Sequence, residues 1–209
     1  MNKNIRLILA SASPRRHELL QAAGLIHSVI VSDADESVRT EAPDGVPFAC
    51  HYAAEASRMK GEAVCAMLSP EDGIRTFIIS ADTVVSSDMA SVLGKPKGKE
   101  DARRMISSLS GGTHYVIGGL TVSELSGKSV TCNVITEVTF ATLTEAEIDA
   151  YISTNEPYDK AGAYGIQGIA SLFAEKVNGD YANVVGISVA QLRKILTEEF
   201  NILPQELIG

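Results

Sequence analysis

The chain has 209 residues, 26 Asp plus Glu against 18 Lys plus Arg, a formal net charge of −8 and 45% hydrophobic residues. The hydrophobic share excludes a disordered chain, and the length suits a single domain, residues 1–209, with a sizeable core. The acidic balance excludes a broad basic face for coating nucleic acid, yet leaves room for one small basic pocket.

Cys50, Cys65 and Cys132 form no CxxC pair, so free thiols in a reducing cytoplasm are expected rather than a disulfide framework or a zinc knuckle. Lys3 and Arg6 precede apolar residues, but the run 7–10 is too short for the apolar core of a secretion signal. No stretch approaches the ~20 apolar residues of a membrane span. A cytoplasmic protein with no membrane partner and no specific nucleic-acid partner is the expectation.

In chain order, residues 5–10 read as a buried strand and 11–13 as a turn. Residues 14–23 read as a helix with Ser13 as N-cap, Pro14 in the first helical position and Gly24 as the stop. A second strand is expected over 28–32, then an acidic loop over 33–44. Phe48, Tyr52, Ala56, Met59 and Ala63 recur at helical spacing, so 46–68 reads as one helix. Residues 76–85 are apolar and β-branched, a buried strand that carries Asp82 at the end of its apolar run. Ala102, Met105, Ile106 and Leu109 mark a helix that stops at Gly111-Gly112. Strands over 113–123 and 128–141 read as an antiparallel pair turning at Ser126-Gly127. Thr144 with Glu147 forms a capping box for a helix to about residue 155. Gly162, Gly165 and Gly168 mark an irregular loop, 171–177 a strand, and 183–200 one last helix. Together these imply an α/β fold with a mixed twisted sheet.

Four segments carry candidate chemistry. In SASPRR, Ser11, Ser13, Arg15 and Arg16 gather hydroxyls and charges at a helix N-terminus, where unpaired N–H groups favour an anion. An ordinary capped helix with surface arginines is an equal reading of that segment alone. In ADTVV, Asp82 is a carboxylate in an otherwise buried strand, a costly placement unless it meets water, a metal or a cation. It suits a general base or metal ligand. In LGKPKGK, Lys95 is constrained between Gly94 and Pro96 and is a candidate contact, whereas Lys97, Lys99, Arg103 and Arg104 read as a solvated helix face. In EPYDKAGAYGIQG, glycines permit close approach of backbone to a ligand, and the Gln167 amide both donates and accepts. Two weaker candidates are Lys60, on the long helix, and the acids Asp33, Asp35 and Glu36, oxygen ligands of the kind that suits Mg²⁺. The four histidines show no metal spacing and read as structural or exposed.

The ordered set SASPRRHELL, SADTVV, GKP, LSGGTH, EPYDKAGAYGIQG and GDYANVVG resembles the Maf family of nucleoside triphosphate pyrophosphatases, from Leu7 to about Leu196. The resemblance implies a two-lobed α/β domain with a deep central cleft, like that of the inosine triphosphatases. It also implies a divalent metal (Mg²⁺ or Mn²⁺), usually a homodimer, and hydrolysis of a nucleoside triphosphate to monophosphate and pyrophosphate in clearing the nucleotide pool. Carried over by motif, Asp82 is the proton acceptor and a metal ligand with Asp35 and Glu36. Arg15, Thr83 and Gln167 set the choice of base; Ser11, Ser13, Arg16, Lys60 and Lys95 stand as phosphate contacts. SPRR, ADT and GIQG together look like the dTTP/UTP branch. Uracil and thymine present an acceptor, a donor and an acceptor, which a Gln amide and a nearby Arg complement. A purine-type enzyme (dITP/XTP or 7-methyl-GTP) and a non-catalytic nucleotide sensor in cell division are the alternatives. Gly118-Gly119 departs from the family's usual Thr-Gly.

Overall fold

The computed structural model describes residues 4–33, 38, 41–125 and 127–208. Strand β1 (Ile5–Leu9) leads into helix α1 (Pro14–Ala22), followed by the two-residue strand β2 (Ser28–Val29) and the long helix α2 (Phe48–Cys65). Then come β3 (Arg75–Ser86), α3 (Lys99–Leu109), the hairpin β4 (Thr113–Glu124) and β5 (Ser129–Phe140), and α4 (Glu145–Ile152). Three short 3₁₀ turns, Pro157–Asp159, Ala161–Ala163 and Ile169–Leu172, precede β6 (Ala174–Asn178), α5 (Tyr181–Val185) and α6 (Val189–Phe200).

The described strands form one mixed sheet in the order β2-β1-β3-β4-β5-β6. β1 pairs parallel with β2 and β3, and every pairing from β3 to β6 is antiparallel. This is the expected α/β architecture. The Thr144–Glu147 capping box is present, with the Thr144 N–H donating to Glu147 Oε2 at 2.7 Å. Ser126 of the expected turn lies outside the described residues.

Two cores share the long strands. Leu7, Leu9, Phe77, Ile79 and Leu120 pack under Leu20 of α1 and under Leu192, Leu196 and Phe200 of α6. Beyond Asp82, Val85 and Val116 join Met105 and Ile106 of α3, Tyr151 of α4, Tyr164 and Phe173 in the second core. The first core therefore ends at Ala81 and the second begins at Val85. Thr83 lies between them on that face, while Asp82 faces the other way, between Ile78 and Val84 of two further clusters. β3 runs on to Ser86, which corrects the reading of Asp82 as a strand end.

The opposite face of the sheet carries α2. Its contact residues are small because its backbone lies directly on the strands. A Cβ on Gly119 would overlap the Ala53 carbonyl, and one on Gly61 would stand 2.7 Å from Ser80 Oγ. Ser57 locks the seat, sharing a 2.8 Å hydrogen bond with Thr121 and accepting at its carbonyl from Ser80 Oγ at 2.7 Å.

The last helix differs from expectation. Gly186, with φ 155°, ends α5, and Ser188 starts α6 by accepting from the Gln191 N–H at 3.0 Å. Asp180 caps α5 through the N–H groups of Ala182 and Asn183. Strand β2 is shorter than expected: Ser28 and Val29 stand in register with β1, and the Ile30 N–H makes the last bond, to the Leu9 carbonyl. No helix among the described residues is long and apolar enough to cross a membrane.

Candidate active site

β1 stops pairing with β3 at Leu9–Ile79, while β3 continues for seven residues to Ser86. The chain leaves the sheet at Ala10, which donates a last hydrogen bond to the Ile79 carbonyl, and turns through Ser11–Ser13 into α1. The edge of β3 beyond Ile79 is thereby uncovered at the carboxyl end of a parallel strand, where α/β sheets place ligands. A cavity of about 770 Å³ occupies that position. Ser11, Ser13, Arg15, Arg16, Lys60, Asp82, Thr83, Lys95 and Gln167 all line it. The structure thus brings together every described residue singled out above as a catalytic, base or phosphate contact. Asp35 and Glu36 lie outside the described residues.

Successive strand residues point to opposite faces, so Asp82 and Thr83 look to opposite walls. Asp82 meets α2: Lys60 Nζ lies 2.6 Å from Asp82 Oδ1, with side chains 13% and 17% exposed. Thr83 meets α1 and α5. Its hydroxyl donates to the Gly186 carbonyl and accepts from Arg16, each at 3.3 Å.

Arg16 is buried, and its guanidinium spans Ser11 Oγ at 3.1 Å, Thr83 and the Gly186 carbonyl at 2.9 Å. It joins three segments of the wall. Ser13 occupies the N-cap position of α1 but makes no side-chain cap bond. Its own N–H instead donates to Ser11 Oγ at 3.2 Å. The first turn of α1 receives no side-chain cap from Ser13, and a helix N-terminus of that kind suits an anion. Lys95 is exposed on the rim, with no ion-pair partner among the described residues. Gln167 is also exposed. Arg15 reaches across the cleft toward Asp159, 3.8 Å away. Burial opposes charge on Asp159, but the Lys160 ammonium and Arg15 hold its carboxyl below the usual range.

Sequence reasoning missed three residues. Asn183, buried on α5, donates from Nδ2 to the Val116 and Val134 carbonyls and to Thr136 Oγ1, each at 3.1 Å. A Cβ on Gly118 would overlap its Oδ1, so the Gly118 departure makes room for this side chain. Glu156 lines the cavity and accepts from the Ile169 and Ala170 N–H groups. His114, 1% exposed, meets the Tyr164 hydroxyl at 2.8 Å within a ring cluster, and burial pushes its pKa down to about 4. The histidine of LSGGTH and the acid of EPYDK were visible as motif members without a role. Nothing in the sequence singled out Asn183 from its helix.

A divalent cation is compatible with one described group. The Asp82 carboxylate is a hard oxygen ligand on the cavity wall, already facing a cation in Lys60. Among the described residues, no group of three or more His, Cys, Asp or Glu could hold a metal by itself.

This geometry defines an α/β protein with a cation-lined, nucleotide-sized cleft between two cores. The chain belongs to the Maf-like protein family, whose model matches residues 6–199. It is 43% identical over 199 residues to the dTTP/UTP pyrophosphatase of Alkaliphilus metalliredigens, covering 94% of this chain and 97% of that protein. It is 44% identical over 202 residues to the dTTP/UTP pyrophosphatase of Bacillus pumilus, with 95% and 98% covered. A looser likeness links it to the structure of the Staphylococcus aureus Ham1 protein, with a TM-score of 0.45 and 13% identity over 65% of this chain and 72% of that one.

Proposed function

We propose that the protein is a nucleoside triphosphate pyrophosphatase that converts dTTP and UTP to the monophosphate and pyrophosphate. The observation that carries this reading is one cleft holding Asp82 paired to Lys60 at one wall and Gln167 with Arg15 at its mouth. The near full-length likeness to two dTTP/UTP pyrophosphatases supports it.

In this reading the triphosphate lies across the cleft. The α1 N-terminus with Ser11 and Ser13, the Arg16 guanidinium, Lys60 and Lys95 neutralise its oxygens. Asp82 takes a proton from water as that water attacks the α-phosphorus in line, and pyrophosphate leaves. Lys60 keeps the base and the phosphates from repelling each other. A divalent cation, Mg²⁺ or Mn²⁺, would be held by Asp82, with Asp35 and Glu36 as further ligands by motif, and would supply further charge neutralisation. Gln167 and Arg15 read the base edge, with the Gln167 amide accepting from N3–H and donating to O4. Thr83 acts through Arg16 and Gly186, which it bonds. The same reading places the protein in the cytoplasm as a homodimer, clearing free nucleotides and engaging neither membrane nor nucleic acid.

The test is pyrophosphate release from canonical and modified triphosphates with each metal. Release from dTTP and UTP above all others is expected. Preference for dITP, XTP or 7-methyl-GTP would assign the cleft to a purine, and binding without release would make it a sensor.

A further inference from the structure

A carboxylate is a poor neighbour for a triphosphate, yet Glu156 lines the cleft. Its oxygens are committed inward. Oε2 accepts from the Ile169 N–H at 2.7 Å, and Oε1 accepts from the Ala170 N–H and the Tyr151 hydroxyl, each at 3.2 Å. Burial, then the Glu156 charge, pushes the Tyr151 hydroxyl up, so it remains a donor. The Glu156 carbonyl accepts from Lys160 Nζ at 2.7 Å, which folds the Lys160 stem back into the same loop.

These two side chains lie under the two glycines that flank Ile166 and Gln167. A Cβ on Gly168 would overlap the Glu156 carboxylate, and one on Gly165 would stand 2.7 Å from Lys160 Cε. The Gly168 N–H donates to the Gly165 carbonyl at 3.0 Å, closing a four-residue turn. Gln167 occupies the third position of that turn, and Ile166 is buried beneath it. Among the described residues, no backbone–backbone hydrogen bond ties this turn to a regular strand or helix, though the Tyr151 hydroxyl of α4 meets the Gly165 backbone. The Glu156 carboxylate, which Tyr151 also bonds, lies against it on one side and the Lys160 stem on the other.

We propose that Glu156 is the positioning residue for Gln167, and so for discrimination among pyrimidine bases, with Lys160 as its support. The proposal rests on the reading that Gln167 faces the base. Cytosine carries an amino donor where uracil carries the O4 acceptor, so UTP against CTP is the sensitive comparison. Glutamine at 156 would keep one acceptor but turn an N–H₂ toward a backbone N–H. Alanine would keep neither oxygen.

The experiment measures kcat/KM for UTP and CTP in the full chain and in Gln167→Ala, Glu156→Gln, Glu156→Ala, Gly168→Ala and the Glu156→Ala/Gly168→Ala double variant. The UTP:CTP ratio is expected to fall about tenfold in Gln167→Ala and Glu156→Ala, and by less in Glu156→Gln. Gly168→Ala should lower it in the presence of Glu156 and add nothing in its absence. A purely structural role would lower both substrates together and leave the ratio intact. Loss of the ratio in Gln167→Ala with its retention in both Glu156 variants overturns the positioning role alone. Retention in Gln167→Ala overturns the base-facing reading and the proposal with it. Hydrogen exchange at Ile169 and Ala170 gives a second measurement independent of turnover. Both amides should exchange faster in Glu156→Ala, and unchanged protection overturns the proposal.

Discussion

Lys60 on α2 and Asp82 on β3 meet at 2.6 Å, 22 residues apart in sequence and largely shielded from water. The pair sets the ammonium where a triphosphate would otherwise face a bare carboxylate. Asp82→Asn removes the proton acceptor but keeps the shape. Turnover should fall by about a hundredfold to ten-thousandfold, while calorimetry still finds nucleotide bound. Normal pyrophosphate release by this variant would remove Asp82 from the mechanism.

Asn183 holds α5 to the sheet through three hydrogen bonds. Asn183→Ala leaves buried acceptors without that donor and opens a gap beside Gly118. A loss of about 2–4 kcal/mol is expected. At about 2–4 °C per kcal/mol for a chain of this size, thermal unfolding should shift down by several degrees. Because the Gly186 carbonyl ends the same helix, the Arg16 and Thr83 contacts should loosen too, visible as a raised KM.

His114 gives the fold an acid limit. Its folded pKa of about 4 lies below the ordinary 6.5, so the unfolded chain binds the extra proton first. Stability from this group is complete above about pH 6.5 and is lost as pH falls toward 4, on the order of 3 kcal/mol in all. Urea midpoints at pH 7, 5.5 and 4.5 should fall in that order. His114→Phe should flatten that part of the profile, and an unchanged slope would assign the acid limit to other groups.

The Arg15–Asp159 pair spans the cleft mouth at 3.8 Å, and Asp159 is 64% exposed. Such a pair contributes under about 1 kcal/mol, so Asp159→Ala should barely change the melting temperature. It should lower KM for the triphosphate by about twofold to fivefold at low salt, since one repelling charge is gone and Arg15 is released. Raising the ionic strength should shrink that difference, and equal KM values at low salt would deny Asp159 any influence on binding.

The order of strands and helices was legible in the sequence because caps and periodicity agree with the tertiary contacts. Thr144 with Glu147, and Pro14 after Ser13, mark helix starts that the structure keeps. The split between α5 and α6 was also written there, as Gly186 followed by Ser188 and Gln191, but the apolar spacing on either side hid it. Asp82 was legible as an anomaly, a carboxylate in a core strand. Its position between two cores was not, because hydrophobicity does not tell one core from the next. Glu156 and Asn183 stayed silent for a related reason: most of their partners are backbone groups, such as those 13 and 67 residues away, and backbone carries no letter in the sequence.

The seating of α2 has a consequence for kinetics. Ala53 lies against Gly119, and Lys60 is seven residues further on, two helical turns along the same face. No side chain cushions that contact, so the helix works as a ruler with its zero mark at Gly119. Any bulk added there lifts the whole ruler and carries the Lys60 ammonium off Asp82. A methyl group on a strand glycine remote from the triphosphate would then register as a change in rate before it registered as a change in shape.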